Sequence, residues 1–221
     1  MDSARLLGDA STGHASTTAG AVDIDGSMSQ AAFSSPLAIY ASTITVDAGG
    51  TGVHVGGPLV LDAVGNIQVG SNVTITVAAD VSLTRATSTV QMTAQTAIVT
   101  LGGDVTVTTG NSSNATLSVI DTRATGSDVG AVVTIDVQNG RVIDANADSS
   151  VNVYAAAVSM KGYGITDTAG SSQNSVLKVR APIVYVASPT GDVVADAGQD
   201  GRTKWRCPAS CAPRCPPSRR P

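Results

Sequence analysis

The sequence is poor in aromatic residues and contains no glutamate. Aromatic residues make up 3% of the chain against 42% for all hydrophobic residues, so Val, Ile, Leu and Ala must form most of the apolar interior. These side chains pack in thin, regular layers, whereas a compact globule of this size usually carries larger aromatic anchors. All 17 acidic residues are Asp, which favours turns, so the lack of Glu argues against an extensive helical layer.

Cysteine and basic residues are scarce before residue 201. Up to residue 200 there is no Cys, and seven Lys and Arg residues stand against all 17 Asp. An acidic body has no electrostatic reason to bind a phosphate backbone, so we expect no nucleic-acid partner. Residues 201–221 contain six basic residues, all three Cys and five of the nine Pro.

Long apolar runs are also lacking. No run of about 18 apolar residues exists, which excludes an ordinary transmembrane helix. The first residues, MDSARLLGDASTGHAS, lack the basic start and apolar stretch of a secretory signal. We therefore expect either a protein that stays inside the cell or a piece of a longer protein.

A pattern of short alternating segments returns at a fixed interval. Asp80 begins DVSLT, Asp104 begins DVTVT 24 residues later, and Asp128 begins DVGAV after another 24. Residues 73–112 divide into the eight-residue blocks VTITVAAD, VSLTRATS, TVQMTAQT, AIVTLGGD and VTVTTGNS. Alternating apolar and small polar residues followed by turn formers are typical of a strand and a corner. Three blocks bring the chain back to the same corner.

This periodicity predicts an all-β fold, a right-handed parallel β-helix (β-solenoid) with about three short strands and about 24 residues per coil. Val81 should stack on Val105, and Leu83 on Val107, at a strand separation of about 4.8 Å. A sandwich would need repeated hairpin signals. The one Asn-Gly pair, Asn139-Gly140, fits either a hairpin or a corner.

We expect three parts along the chain. Residues 1–30 form an irregular lead-in, with AVDIDG at 21–26 as a candidate first strand, and residues 31–200 form the β-solenoid of about six or seven coils. Within it, TLSVID, AVVTIDV, VNVYAAAVSM, VLKVRAP and IVYVAS are predicted as strands. Residues 201–221 form a disordered tail, because no strand persists through so many prolines. Its composition favours a frame-shifted, non-native extension over a basic or covalent anchor.

Several phrases in the regular part carry a resemblance. They are L-x-L-x-A-x-G-N-I-x-V at 59–69, A-D-V-x-L around Asp80 and G-D-V-x-V around Asp104. With them, residues 58–107 resemble the repeats of filamentous-haemagglutinin-type adhesins and related large bacterial surface proteins. The resemblance implies a parallel β-helix in a long exported shaft. It also implies an extracellular or cell-surface location, as part of a longer protein.

Residues with catalytic potential are few. The only His residues are His14, in the lead-in, and His54, in GVHVGG, where alternation places it on the outer face. A hydrolytic triad needs a His beside a nucleophile, and no His or Cys spacing fits zinc. We therefore predict that the protein is not an enzyme and has no catalytic, cofactor-binding or metal-binding residues.

Two binding interpretations stay open as minor alternatives. DIDG at Asp23 and DVVADAGQD at 192–200 have oxygen ligands for Ca²⁺ without completing a recognised loop. Outward Thr-x-Thr arrays on a flat solenoid face can bind ice, but here they are interrupted and also fit ordinary outward β-formers. The pairs are Thr43/Thr45, Thr74/Thr76 and Thr106/Thr108, with Arg85 and Gln91 interrupting them.

The sequence thus predicts a non-catalytic structural or adhesive segment of a large extracellular or cell-surface repetitive protein. Its polar faces would make weak multivalent contacts with glycans or proteins of host or neighbouring cells, without membrane insertion. Open terminal coils predict end-to-end self-association. The alternative is a polysaccharide-degrading enzyme, a lyase or glycoside hydrolase, on the same scaffold. Against it, Asp lies mostly at corners and aromatic sugar platforms are few.

Overall fold

In the computed structural model, the described part of the chain is all-β. It comprises residues 3–6, 14–16, 20–25, 28–30, 37–47, 52–85, 88–110, 112–125, 127, 130–146, 150–167, 177–187, 195–197 and 204–206. No helix occurs among these residues. Their strands, in chain order, are β1 (Ser3–Leu6), β2 (His14–Ser16), β3 (Ala21–Asp25), β4 (Met28–Gln30), β5 (Leu37–Ala41), β6 (Thr43–Asp47), β7 (Val53–Val55), β8 (Leu59–Ala63), β9 (Ile67–Val69), β10 (Thr74–Val77), β11 (Val81–Arg85), β12 (Val90–Met92), β13 (Ala97–Thr100), β14 (Val105–Thr108), β15 (Ala115–Leu117), β16 (Val119–Asp121), β17 (Val132–Asp136), β18 (Arg141–Asp144), β19 (Val153–Tyr154), β20 (Ala157–Lys161), β21 (Gly164–Asp167), β22 (Leu177–Arg180), β23 (Ile183–Ala187), β24 (Ala195–Ala197) and β25 (Lys204–Arg206).

The strands form three parallel sheets. The first sheet has the order β1-β3-β6-β9-β12-β15-β18-β21, the second β2-β5-β8-β11-β14-β17-β20-β23-β25, and the third β24-β22-β19-β16-β13-β10-β7-β4. From β5 to β23 the chain visits the second, first and third sheets in turn and then repeats. The fold is therefore a β-solenoid of about six turns with about 23 residues per turn, which confirms the predicted fold class. Connections between parallel strands of one sheet are right-handed in nearly all proteins.

The stacking of successive coils agrees with the predicted register. Val81 pairs with Val105, and Leu83 pairs with Val107, each 24 residues later. The five eight-residue blocks hold β10, β11, β12, β13 and β14, one strand in each. Along these strands buried and outward residues alternate, because successive side chains of a strand point to opposite faces of its sheet.

The core consists of stacked aliphatic side chains. On the second sheet one inward column runs through successive strands, and every member is at most 2% exposed. Its members are Ile39, Leu61, Leu83, Val107, Ile135 and Met160. Among the described residues the buried hydrophobic side chains include no aromatic ring, as the composition predicted. Burial of these columns is the main favourable contribution to folding of the coil.

The coils are not all the same length. Leu59 pairs with Val81, 22 residues later, whereas Ile120 pairs with Val153, 33 residues later. The expectation that Asp128 opens the next strand is wrong, because β17 begins four residues later, at Val132. Asp128 itself lies outside the described residues. Solenoids accept such insertions because the stacked strands, and not the loops, carry the packing.

Two segments predicted as single strands each contain two. TLSVID spans parts of β15 in the first sheet and β16 in the third, and VNVYAAAVSM spans β19 in the third sheet and part of β20 in the second. The chain turns a corner inside each segment. The corners contain no Gly or Pro, so the turn signal was weak in both.

The Asn139-Gly140 pair lies at a corner and not in a hairpin. It connects β17 of the second sheet with β18 of the first. A Cβ atom on Gly140 would lie 1.8 Å from the backbone oxygen of Ser113 in the preceding coil. Only glycine fits at this close approach of two coils.

The described sheets run past both ends of the region expected to be solenoid. Strands β1, β2, β3 and β4 lie within residues 1–30, and β25 lies within residues 201–221. β3 contains most of AVDIDG and pairs in parallel with β1 on one side and β6 on the other. Cys207, Cys211 and Cys215 lie outside the described residues.

Candidate functional site

The outward surface of the second sheet carries two columns of side chains from β8 to β20. The first column contains Val60, Ser82, Thr106, Thr134 and Ser159, and the second contains Asp62, Thr84, Thr108, Asp136 and Lys161. All of them are half-buried except Lys161, which is exposed. We name Ser82, Thr84, Thr106, Thr108, Thr134 and Ser159 together the hydroxyl face.

Strand alternation produces this arrangement. In β11 the inward positions are taken by Val81 and Leu83, so Ser82 and Thr84 must point outward. Thr suits these positions because its branched Cβ packs well on a pleated surface. Neighbours within one column are separated by the strand spacing of about 4.8 Å, and the two columns by about 7 Å, two residues along a strand. The hydroxyl groups therefore form a small regular lattice.

The side chains of the hydroxyl face are uncharged, and within the two columns the charged residues lie at the ends. Asp62 lies on the strand before it, while Asp136 and Lys161 share its last two strands. Lys161 Nζ lies 3.4 Å from Asp136 Oδ2, with both side chains substantially solvent-exposed. Such a surface pair contributes little to stability but neutralises the charge at this end.

The chemistry available on the hydroxyl face is hydrogen bonding. Each hydroxyl donates one hydrogen bond and accepts up to two, and the Oγ of Ser82 lies 3.1 Å from the Oγ1 of Thr84. Activation of a hydroxyl as a nucleophile would need an adjacent base. His54 lies on the third sheet, and His14 lies in β2, three strands from β11 in the second sheet. The titratable side chains beside the hydroxyl face are instead carboxylates, Asp62 next to Thr84 and Asp136 next to Thr108.

A second cluster of polar residues lies on the third sheet, beside a loop at residues 122–131. The guanidinium of Arg123 donates to both carboxylate oxygens of Asp121, over 2.9 and 2.6 Å, and its Cζ lies 3.9 Å from the centre of the Tyr154 ring. The loop closes at its base, where the backbone N–H of Ala131 donates to Thr122 Oγ1 over 3.0 Å. These contacts attach the loop to the coil.

The pKa of Asp121 reflects this environment. Burial by itself raises the pKa of the Asp121 carboxyl, but the hydrogen bonds and positive charge of Arg123 outweigh burial and hold the pKa below its ordinary value. A carboxyl with a lowered pKa stays ionised at neutral pH and is a poor proton donor. The lowered pKa of Asp121 thus follows from its ion pair with Arg123.

A third polar cluster interrupts the aliphatic core. Asp144 occupies an inward position next to Leu117 and is 6% exposed. Its carboxylate accepts hydrogen bonds from Asn152 Nδ2, at 2.6 Å, and from the backbone N–H of Asn146, at 2.8 Å. Asn152 Nδ2 also donates to the Ser118 backbone oxygen over 3.1 Å. The network connects neighbouring coils where the longest insertion occurs.

The candidate residues from the sequence fall in different places. His54 is exposed in β7, which confirms the prediction that it faces outward. Asp23 is exposed in β3, and of residues 192–200 only 195–197 are described. Among the described residues, no group of three or more His, Cys, Asp or Glu side chains could hold a metal ion.

The three Thr-x-Thr pairs lie on three different sheets. Thr43/Thr45 belongs to β6 of the first sheet, Thr74/Thr76 to β10 of the third and Thr106/Thr108 to β14 of the second. They therefore do not form one array. Thr106/Thr108 lies instead beside Ser82/Thr84, a combination that sequence reasoning missed. The 24-residue spacing of DVSLT and DVTVT could have revealed this adjacency, because it places these four residues in neighbouring coils.

Comparison with protein families, curated proteins and solved structures finds no match to this chain. Within the residues that the structure describes, no helix is long and apolar enough to cross a membrane.

Proposed function

We propose that this solenoid is a non-catalytic structural and adhesive segment of a large extracellular or cell-surface repetitive protein. One observation carries the proposal: six hydroxyl-bearing side chains project from four consecutive strands of a single sheet, β11, β14, β17 and β20. A regular uncharged lattice of this kind is suited to many similar contacts with a polar surface. It differs from the convergent polar groups of a pocket for a single small ligand.

The mechanism is mechanical and multivalent. The aliphatic columns behind the hydroxyl face hold its side chains in place, so little conformational entropy is lost when a partner binds. Each hydroxyl contact is weak because it replaces a hydrogen bond with water. Repetition of such contacts along a rod raises the overall affinity through effective concentration.

The resemblance to filamentous-haemagglutinin-type repeats supports an extracellular or cell-surface location. Glycans or proteins on host or neighbouring cells are the proposed partners, since they present hydroxyl and amide groups to an uncharged face. The excess of Asp up to residue 200 argues against nucleic acid as a partner. Parallel strands that meet another copy end to end could continue the sheets, so we also propose end-to-end self-association.

Binding to surfaces tests the proposal. Beads that display the chain at high density are presented to glycan arrays and to cultured cells, and the retained beads are counted. The double substitution T106V and T108V removes two hydroxyl groups and keeps the branched β-formers. We expect it to lower bead retention about tenfold, because multivalency amplifies each small loss. The matched control, T43V and T45V on the first sheet, should leave retention unchanged. Equal losses from both variants, or no retention of the wild-type chain, would contradict the proposal.

A depolymerisation screen tests the non-catalytic part separately. The chain is incubated with acidic and neutral polysaccharides, with and without Ca²⁺, and new reducing ends or unsaturated products are measured. We expect no turnover. Turnover that disappears when Asp62 or Asp136 is changed to Asn would instead establish an enzyme of the lyase or glycosidase type on this scaffold.

A further inference from the structure

The turn between β9 and β10 carries an acceptor motif for asparagine-linked sugar. It reads Asn72-Val73-Thr74, the Asn-x-Thr pattern that asparagine glycosyltransferases require. Asn72 and Thr74 are exposed, whereas the side chain of Val73 between them is completely buried. The buried Val73 anchors the turn to the core, and the two residues that the transfer reaction needs point away from it.

The backbone presents the Asn72 side chain to solvent. Asn72 has φ of 58°, in the left-handed region that Asn tolerates better than most residues. The described part of the chain shows no hydrogen bond to its side-chain amide. Ser71 before it and Thr74 two residues after it are also exposed, and Val73 between Asn72 and Thr74 is buried.

A second copy of the motif, Asn114-Ala115-Thr116, is held in a different way. Asn114 Oδ1 accepts a hydrogen bond from the backbone N–H of Arg141 in the next coil, over 2.9 Å. Ala115 is completely buried, and Thr116 is half-buried between its strand neighbours Gln91 and Ile143. The side chain of Asn114 therefore closes a corner between coils. A third copy begins at Asn111, which lies outside the described residues.

We propose that Asn72 is a glycosylation site and that Asn114 is not. In the transfer, Nδ2 of Asn72 attacks the anomeric carbon of a phosphate-activated sugar. A C–N bond forms, the C–O bond to the phosphate breaks, and the phosphate group leaves with the electron pair. The amide nitrogen loses one proton to a base of the transferase. This inference goes beyond the proposed adhesive function and does not depend on it.

The position of Asn72 leaves the hydroxyl face accessible. Its turn connects the first sheet to the third, whereas the hydroxyl face belongs to the second. A sugar on Asn72 would therefore cover an edge of the coil on which the proposed adhesive contacts do not depend. Modification at this edge would add polar bulk to the rod without blocking its binding surface.

In vitro glycosylation of the folded chain tests the proposal. The intact protein is incubated with a purified soluble asparagine glycosyltransferase and UDP-glucose, and hexose is located by peptide fragmentation in a mass spectrometer. We expect hexose on Asn72 and at least about tenfold less on Asn114, whose amide becomes accessible only through local opening of the coil. Peptides that span residues 69–77 and 112–118 serve as unfolded controls and should both accept hexose.

Variants of the motif complete the test. T74A should abolish modification of Asn72, T74S should retain it, and T76V, on the same strand but outside the motif, should have no effect. The proposal is overturned if the folded chain carries no hexose on Asn72. It is equally overturned if Asn114 is modified as readily as Asn72 in the folded chain.

Discussion

The carboxylate of Asp80 accepts a hydrogen bond from the backbone N–H of Asp104, which lies 24 residues later at the same corner of the next coil, over 2.9 Å. Asp104 repeats this contact with the backbone N–H of Val132, over 2.8 Å. At this corner, the Asp carboxylate of one coil thus accepts a hydrogen bond from a backbone N–H of the next coil. Consecutive coils are connected by Asp as well as by the backbone hydrogen bonds of the sheets.

Asp80→Ala should therefore loosen this corner. We expect the free energy of unfolding to fall by about 1 kcal/mol, the usual net contribution of one such hydrogen bond, and Asp80→Asn to recover most of the loss. Urea denaturation at neutral pH measures both. Asp62→Ala, which removes a half-buried carboxylate from a strand of the second sheet, is the control and should have a smaller effect. Equal effects of the two Ala variants would argue against a special role for Asp80.

The stacked core predicts that truncation of the Leu83 side chain lowers the free energy of unfolding strongly. Its side chain is completely buried between Leu61 and Val107. Leu83→Ala should lower the free energy of unfolding by about 3 kcal/mol, because it leaves a cavity that neighbouring coils cannot fill. Gln91→Ala, at an exposed position of β12, should cost less than about 0.5 kcal/mol. Denaturant titration of both variants decides whether Leu83 lies in the continuous core.

Two glycines offer a matched pair of substitutions. Gly140→Ala would bring a Cβ atom to 1.8 Å from the backbone oxygen of Ser113, whereas a Cβ on Gly164 would meet no atom within 4 Å. We expect Gly140→Ala to destabilise the protein by about 3 kcal/mol or more, since two backbones would have to move apart. Gly164→Ala should be close to neutral. Thermal unfolding followed by circular dichroism compares them, and similar midpoints would rule out the close approach at Gly140.

The Arg123 and Asp121 pair predicts a dependence of stability on pH. Because the folded pKa of Asp121 lies below its ordinary value of 3.8, the pair stabilises the fold above that value. This contribution is lost as the pH falls through the folded pKa. Arg123→Met removes the partner, so burial should then raise the pKa of Asp121. Denaturation measured from pH 7 to pH 2.5 should show the largest difference from wild type at neutral pH and a shrinking one in acid.

A substitution of Asp121 separates the effect of the Arg123–Asp121 ion pair on stability from the packing of Arg123 on the Tyr154 ring. Asp121→Asn cannot titrate at this position, so in that background Arg123→Met should change stability by an amount independent of pH. If the difference between the Arg123 forms still varied with pH in the Asn background, another group would be responsible for the titration.

The regular part of the coil was predictable because its signal is local. In β10, β11 and β14 apolar and small polar residues alternate, and this alternation alone determines which side chains are buried. The 24-residue spacing between Asp80 and Asp104 then determined the register between their coils. The abundance of Val and Ile and the absence of Glu agreed with the same conclusion, so independent features of the sequence supported one fold.

The irregular part was not predictable in the same way. Alternation places Asp144 on the inward side with Val142, but nothing in RVID accounts for a buried carboxylate, because its burial depends on a hydrogen bond from Asn152, which lies outside that strand. The repeat predicted the next strand at Asp128, but β17 begins at Val132. The difference reflects the length of the loop before β17, which composition does not encode. Both features required knowledge of contacts between distant segments.

The sequence by itself determined that the chain coils, which side chains face inward and which residue types remain outside. Only the tertiary structure decided which outward residues become neighbours. It placed Ser82, Thr84, Thr106, Thr108, Thr134 and Ser159 on one sheet and distributed the three Thr-x-Thr pairs over three. The physical reason is that alternation along one strand specifies a side of the sheet, whereas adjacency between strands depends on the summed lengths of all the intervening corners.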